Sequence, residues 1–291
     1  MSRFSALFSS YSSLAKIRIS FFSSLSAAAC FILASGRFTL QCAMVTCSVF
    51  LLASGACALN HYQDRFTDSL MPRTAGRPIP SGRVRPLQAL VFSLAMLFLG
   101  AVTIFSCGGS EALLLGFFAV LWYNGVYAFL KKKSAFAAIP GALTGAVSPA
   151  IGWVSGGGSF FSPAIGAICI CFFIWQIPHS WLLLLEYGEE YELAGLRSIT
   201  RIWSSDQIER IVFVWILCTA AICLIIPLFL VSMGGLGRIM ILCPALWLAG
   251  SSGMLLYQGK SESARAFLFG KLNVCLFANI ALLVFDRLLY V

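Results

Sequence analysis

The feature that most constrains this chain is its succession of apolar runs, each about 20 residues long. A helix needs about 20 residues to cross the hydrocarbon core of a bilayer, which is about 30 Å thick. Nine such runs can be marked, at 17–35, 40–59, 86–106, 111–130, 135–154, 162–182, 211–231, 238–257 and 267–285. The sequence therefore predicts one all-α domain over residues 1–291, a multi-pass membrane bundle of nine transmembrane helices.

The small charged fraction excludes an ordinary soluble protein. Only 11% of the residues are charged, whereas soluble domains contain about 25%. Sixteen of the 20 Lys and Arg residues fall at the N-terminus or in alternate connections between the predicted spans. Because basic residues accumulate on the cytoplasmic side, this pattern predicts a cytoplasmic N-terminus and a C-terminus outside. The net charge of +9 is then explained by topology, and no nucleic-acid partner is expected.

The 11 cysteines predict neither a zinc site nor a disulfide framework. Most of them fall inside the predicted spans, and no CxxC pair occurs. A cysteine within an apolar helix behaves as a small hydrophobic residue.

The acidic residues gather at two places. Nine of the 11 carboxylates lie on the predicted cytoplasmic side, chiefly in the two longest connections, 60–85 and 186–210. Ionisable groups are scarce in a membrane protein, and a cluster of them commonly marks a functional site.

The first cluster has helical spacing. Asn60, Asp64 and Asp68 are separated by four residues each, so they share one face if the second span continues as a helix beyond residue 59. Oxygen ligands of this kind suit Mg²⁺, which is commonly bound by one or two carboxylates together with substrate phosphates. The arginines that follow, Arg73, Arg77 and Arg83, offer planar forks that match phosphate oxygens. The residues predict a site for Mg²⁺ and a diphosphate; the alternative is an acidic helix end followed by arginines that only set topology.

A third connection places Tyr127 and Lys131 four residues apart on one helical face. The ammonium would neutralise a phosphate and the phenol ring would stabilise a cation. The alternative is an interfacial tyrosine beside lysines that extend to the membrane surface.

The second acidic cluster contains Glu186, Glu189, Glu190 and Glu192. It could hold a second metal, supply a base, or be a solvated helix end. Glu190 and the adjacent Tyr191 are candidate substrate contacts. His179, in the sixth predicted span, either bonds a neighbouring helix, contacts an acceptor substrate, or is a ligand to a metal in that acceptor.

These segments resemble the UbiA superfamily of intramembrane prenyltransferases. The run Asn60-x₃-Asp64-x₃-Asp68 followed by MPRTAGRPIPSGR resembles the family's first aspartate-rich motif, and in its details the branch that farnesylates heme. GVYAFLKKKS, GALTGAVSPAIGW, WQIPHSW and ARAFLFGKL extend the resemblance along the chain.

The resemblance implies a multi-pass enzyme of the bacterial inner membrane with a cytoplasmic active site. It implies that Mg²⁺ and the diphosphate of farnesyl diphosphate bind Asn60, Asp64 and Asp68. It also implies that Arg73, Arg77 and Lys131 pair with the diphosphate. The isoprenoid tail would lie between spans against membrane lipid, and the acceptor would be heme b.

One segment departs from the heme branch. Ala194-Gly195-Leu196-Arg197-Ser198 stands where that branch commonly has Ala-Gly-Ile-Pro-Met-Leu-Pro, and it is nearer to members that act on aromatic acceptors. Those members, however, carry a second Asp-x₃-Asp motif, and Tyr187 and Tyr191 occupy the corresponding positions here. A quinone precursor or another lipid-soluble aromatic is therefore the alternative acceptor. A non-catalytic transporter is a further alternative, for which inverted repeats and charges at mid-membrane depth would be expected.

Overall fold

The computed structural model describes residues 3–230, 234–258 and 262–289. These residues form α-helices and connections without any β-strand, so the all-α prediction is confirmed. The helices are α1 (Arg3–Leu14), α2 (Ile17–Ser35), α3 (Leu40–Leu70), α4 (Pro72–Ala75), α5 (Pro86–Leu121), α6 (Ala128–Lys133), α7 (Ala138–Ser155), α8 (Pro163–Leu193), α9 (Ser205–Phe229), α10 (Gly235–Ser252), α11 (Met254–Gln258) and α12 (Glu262–Leu289), with a π-helical segment at Trp122–Tyr127.

Within the described residues, seven helices are long and apolar enough to cross a membrane. They are Ile17–Ser35, Leu40–Leu70, Pro86–Lys133, Pro163–Leu193, Ser205–Phe229, Gly237–Leu256 and Glu262–Leu289. The chain is thus an integral, multi-pass membrane protein.

The count of nine predicted spans differs from these seven for two reasons. The predicted spans 86–106 and 111–130 are joined in one 48-residue helical stretch, which is kinked at Gly109, where φ is 79° and ψ is −173°. This backbone conformation is open almost exclusively to glycine, so the chain kinks within one residue and forms no loop there. The predicted span 135–154 is present as α7, a helix of 18 residues, but it is not among the seven.

Helix α1 is an element that the sequence reading did not predict. Its last residue, Leu14, is buried with Ala58 of α3 and with Ile79 and Val84 of the 76–85 connection. The helix therefore packs against the segment between α3 and α5, residues 71–85, which we call the Arg-rich connection. Lys16 joins α1 to α2 in a left-handed conformation, with φ at 43° and ψ at 54°.

Glycines allow the central helices to approach closely. A Cβ atom at Gly55 of α3 would lie 2.9 Å from the backbone N of Leu97, and one at Gly100 of α5 would lie 2.9 Å from that of Leu52. Small residues at such crossings let helix backbones pack tightly inside a membrane. The close contact between α3 and α5 fixes α3, which carries the first acidic cluster.

Helices α3 and α8 are each 31 residues long, or about 46 Å at 1.5 Å per residue, and so exceed the hydrocarbon thickness by several turns. In both helices the acidic residues occupy the C-terminal turns. The backbone N–H of Arg73, just after α3, donates to Glu190 Oε2 at 3.1 Å. The two acidic clusters therefore meet at the same end of the bundle.

Candidate active site

The site begins on the buried face of α3. The helix continues to Leu70, so Asn60, Asp64 and Asp68 lie one above another as their spacing predicts. They are 4%, 7% and 2% exposed. Two buried carboxylates on one helix repel each other and lose hydration, so they require cations or hydrogen-bond donors nearby.

Those cations come from two other segments. Lys131 of α6 forms an ion pair with Asp64 Oδ2, which also accepts a hydrogen bond from Asn60 Nδ2 at 3.0 Å. Arg77 directs Nη1 at both carboxylate oxygens of Asp68, at 2.8 Å each. Two of the predicted phosphate-binding residues, Lys131 and Arg77, are thereby brought to the acidic face.

The donor atoms left over suit a hard divalent cation. Asp64 Oδ1 is buried and accepts no hydrogen bond from the described part of the chain. Among the described residues, Asn60 Oδ1 has one long contact, with the Tyr123 hydroxyl at 3.5 Å. A carboxylate oxygen and an amide oxygen from two residues that are hydrogen-bonded to each other are ligands that Mg²⁺ accepts, so the residues fit this metal. No cluster of three or more His, Cys, Asp or Glu side chains suited to a metal occurs within residues 3–230, 234–258 and 262–289.

The connecting segment that carries Tyr127 is wound as a π-helix, a form that recurs at functional sites. The rings of Tyr123 and Tyr127 stack with centroids 5.7 Å apart, and the Lys131 ammonium lies 5.7 Å from the Tyr127 ring. Asn124 and Gln63 fasten the segment to α3, because Gln63 Nε2 donates to the Asn124 carbonyl at 2.8 Å. Two phenol rings therefore line the approach to the acidic face.

The second acidic cluster is joined to the first through Arg73. Besides its backbone bond to Glu190, Arg73 places its guanidinium 4.8 Å from the centre of the Tyr187 ring. Glu192 instead pairs with Arg201 at 3.2 Å and accepts from Thr200 at 2.7 Å. Glu190 is the member of this cluster that contacts the Arg-rich connection.

Three other predicted site residues, Arg83, Tyr191 and His179, form no hydrogen bond with Asn60, Asp64 or Asp68 within the described residues. Arg83 is exposed, and its guanidinium donates to Ser81 Oγ at 3.0 Å and to the Gly76 carbonyl of its own connection. Tyr191 is half-buried near the end of α8. His179 lies three turns earlier in α8 and bonds Asn273 of α12.

Comparison with known proteins shows the family to which the chain belongs. The model of the UbiA prenyltransferase family matches residues 22–279. The chain belongs to this family. Among curated relatives, the protoheme IX farnesyltransferase of Nitratidesulfovibrio vulgaris (strain DP4) is 35% identical over 209 residues, covering 72% of this chain and 73% of the relative. The protoheme IX farnesyltransferase of Oleidesulfovibrio alaskensis is 31% identical over 277 residues, covering 95% and 96%. This UbiA member is therefore an enzyme, a prenyltransferase similar to protoheme IX farnesyltransferases.

Solved structures share the fold. A UbiA homolog from Archaeoglobus fulgidus, bound to GPP and Mg²⁺, has a TM-score of 0.73 at 16% identity, covering 96% of this chain and 99% of the other. A structure of digeranylgeranylglyceryl phosphate synthase has a TM-score of 0.77 at 16% identity, covering 97% and 98%.

Three residues of this UbiA member's site were missed by sequence reasoning. His61 lies on the same face of α3, is 2% exposed, and has both ring nitrogens without a hydrogen-bond partner in the described chain. Lys16 interacts electrostatically with His61 and Lys131. Tyr123 stacks on Tyr127. The spacing of His61 and Tyr123 relative to the predicted residues could have indicated them, but Lys16 depends on the unpredicted packing of α1.

Proposed function

We propose that this enzyme transfers the farnesyl group of farnesyl diphosphate to heme b. The observation that carries the proposal is the buried Asn60–Asp64–Asp68 face with Lys131 and Arg77 on its carboxylates. The farnesyl donor and the heme acceptor are supported by relatives at 31–35% identity that are named protoheme IX farnesyltransferase.

One group of residues would bind Mg²⁺ and the diphosphate, and a second group would exclude water from the reacting carbon. Asn60 and Asp64 would hold Mg²⁺, with Asp68 beside them. Bound there, the metal would neutralise the diphosphate and make it a better leaving group. Lys131, Arg73 and Arg77 would exchange their present partners for diphosphate oxygens, which places positive charge where negative charge develops.

Tyr123 and Tyr127 would present ring faces to the allylic carbon as the carbon–oxygen bond breaks, because aromatic faces attract cations. Both rings are only partly exposed, so they also restrict access of water to a reactive cation. Arg83, Glu190 and Tyr191 would support the diphosphate site from the rim. His179, deeper in the bundle, would contact the acceptor.

The chain would work as a single domain with nine membrane passes in a bacterial inner membrane. Gly109 divides the Pro86–Lys133 stretch into two passes, and α7 supplies a further pass, which supports this count. The N-terminus and the active site would be cytoplasmic, since 16 of the 20 Lys and Arg residues fall at the N-terminus or in alternate connections between the predicted spans, and basic residues accumulate on the cytoplasmic side. The long isoprenoid tail would extend between helices into contact with lipid.

Product analysis tests the proposal. The purified protein, in lipid with Mg²⁺ and farnesyl diphosphate, would be offered heme b together with aromatic acids and quinone precursors. We expect a heme product heavier by one farnesyl group and one hydroxyl group, the hydroxyl coming from water with release of a proton. A prenylated aromatic with unchanged heme would reject the heme acceptor and keep the donor site. No prenylated product of any kind would reject the transferase proposal.

A further inference from the structure

His179 occupies an unusual position for a titratable side chain. It lies in α8, 11 residues before Glu190, which is about 16 Å along the helix axis and within the apolar part of the helix. A polar ring at that depth of the membrane raises the free energy of the folded state unless it forms a hydrogen bond, and polar residues retained there commonly have a function.

One ring nitrogen of His179 has a defined partner. Nδ1 lies 3.1 Å from Asn273 Oδ1 of α12. The amide of Asn273 is fixed because its Nδ2 donates to the Phe269 carbonyl at 2.8 Å. The Asn273 atom that faces the ring is therefore an oxygen, which can only accept. The hydrogen bond exists only if Nδ1 of His179 carries the proton.

This tautomer leaves the lone pair on Nε2. In the described chain, His179 makes its hydrogen bond through Nδ1, and Nε2 has no partner. The contact between α8 and α12 requires only the N–H at Nδ1, so it does not explain why Nε2 keeps an unshared lone pair. A neutral imidazole held through its other N–H is the usual form of a metal-ligating histidine.

The surroundings of the ring suit a flat aromatic substrate. Trp175 lies one turn away in α8, with its ring centroid 4.8 Å from that of His179, and Phe269 of α12 lies at 4.5 Å. The indole Nε1 of Trp175 is buried and donates to no atom of the described chain. Aromatic walls, an available N–H donor and an open imidazole nitrogen are thus gathered at one place between α8 and α12.

We propose that His179 Nε2 is an axial ligand to the iron of the porphyrin acceptor, and that Asn273 is the positioning residue that holds the imidazole in the Nδ1–H tautomer. The inference rests on the proposed function, since it requires the acceptor to be a metalloporphyrin. It also separates the heme acceptor from an aromatic one, because a quinone precursor contains no metal for Nε2 to bind.

Binding of two porphyrins tests the ligand role. Ferric heme b and metal-free protoporphyrin IX would be titrated into the full chain in lipid nanodiscs, for the wild type, His179→Ala and Asn273→Leu. Loss of an outer-shell partner typically costs about 10–100-fold in metal affinity, so we expect that loss of heme affinity for Asn273→Leu. We expect at least as large a loss for His179→Ala. Binding of the metal-free porphyrin should be unchanged in both, which also shows that the variants are folded.

The chain offers a matched control in Asn279. This residue is also in α12, and its Nδ2 also donates to the carbonyl four residues earlier, that of Cys275, at 2.9 Å. Its hydrogen bonds are to Cys275 and not to His179. Asn279→Leu should leave the affinity for both porphyrins unchanged.

A spectroscopic rescue distinguishes ligation from packing. Heme bound to His179→Gly should lose the absorption spectrum of the wild-type complex, and added imidazole should restore it. Equal losses of both porphyrins, unchanged heme affinity in His179→Ala, or no rescue would each overturn the assignment. If farnesylated heme still forms under those outcomes, only this inference fails; if only aromatic products form, the proposed acceptor fails with it.

Discussion

Asp64→Asn should lower both activity and stability, and a second substitution should restore only stability. The change keeps the shape of the side chain and the bond from Asn60, but it removes the charge that Lys131 pairs with. The side chains of Lys131 and Asp64 are 17% and 10% exposed. Breaking a buried ion pair costs about 3–5 kcal/mol. Because Lys131 keeps some hydration, we expect about 2–3 kcal/mol, or a Tm lower by about 5–10 °C.

The double variant Asp64→Asn/Lys131→Met removes the uncompensated ammonium as well. Replacing a buried pair with groups that need no partner is often neutral for stability, so most of the lost Tm should return. Turnover should stay at least about a hundredfold below wild type in both variants, because charge stabilisation at the leaving group is lost. Thermal unfolding in detergent and product formation from farnesyl diphosphate measure the two effects.

Glu192→Gln provides the control for a general effect of removing a carboxylate. Glu192 accepts from Thr200 and pairs with Arg201, and the side chains of Glu192 and Arg201 are 29% and 56% exposed, so the ion pair contributes at most about 1 kcal/mol. Near-wild-type turnover by Asp64→Asn would reject its role at the diphosphate site. A double variant no more stable than Asp64→Asn would show that Lys131 is not left uncompensated.

Three further changes probe the site and its scaffold. Arg77 Nη1 donates to both oxygens of Asp68, and Arg77→Lys replaces the several N–H groups of the guanidinium, which could bind Asp68 and a diphosphate together, with a single ammonium. Since one charge-assisted bond contributes about 1.5–3 kcal/mol, kcat/KM for farnesyl diphosphate should fall at least about tenfold; an unchanged value would remove Arg77 from the site. Gly109→Ala places a side chain in a backbone conformation that only glycine adopts readily, and it should lower the free energy of unfolding by about 1–3 kcal/mol, which thermal unfolding measures. Gly166→Ala is the control, because Gly166 lies in helix α8 with open space around its Cβ position; this change should not lower the Tm. Lys16→Gly relieves a left-handed backbone but removes a cation, so the Tm should rise while the measured affinity for farnesyl diphosphate falls; a rise in both would place Lys16 outside the site.

The sequence predicted the helices well where their signals are local. The length of the apolar runs predicted most of the long helices. The four-residue spacing predicted that Asn60, Asp64 and Asp68 share one face, and they do so because α3 continues to Leu70. The sequence predicts two separate spans, 86–106 and 111–130, where the structure has a kink at Gly109, since a single glycine with positive φ gives no length signal. Helix α1 was missed because its burial depends on residues of α3 and the 76–85 connection.

Contacts between distant segments could not be read from spacing. That Lys131 pairs with Asp64, and Arg77 with Asp68, depends on how α6 and the Arg-rich connection dock on α3. The bond of Asn273 to His179 joins residues 94 positions apart. Electrostatic complementarity favours such pairs, but only the packing of the helices selects the partners.

The most direct test of the diphosphate site is a structure of the protein with an unreactive farnesyl thiodiphosphate and Mn²⁺, whose anomalous signal locates the metal. The account predicts Mn²⁺ on Asn60 and Asp64, and diphosphate oxygens within hydrogen-bonding distance of Lys131 and Arg77. A diphosphate bound elsewhere, with the pairs on Asp64 and Asp68 unchanged, would contradict it.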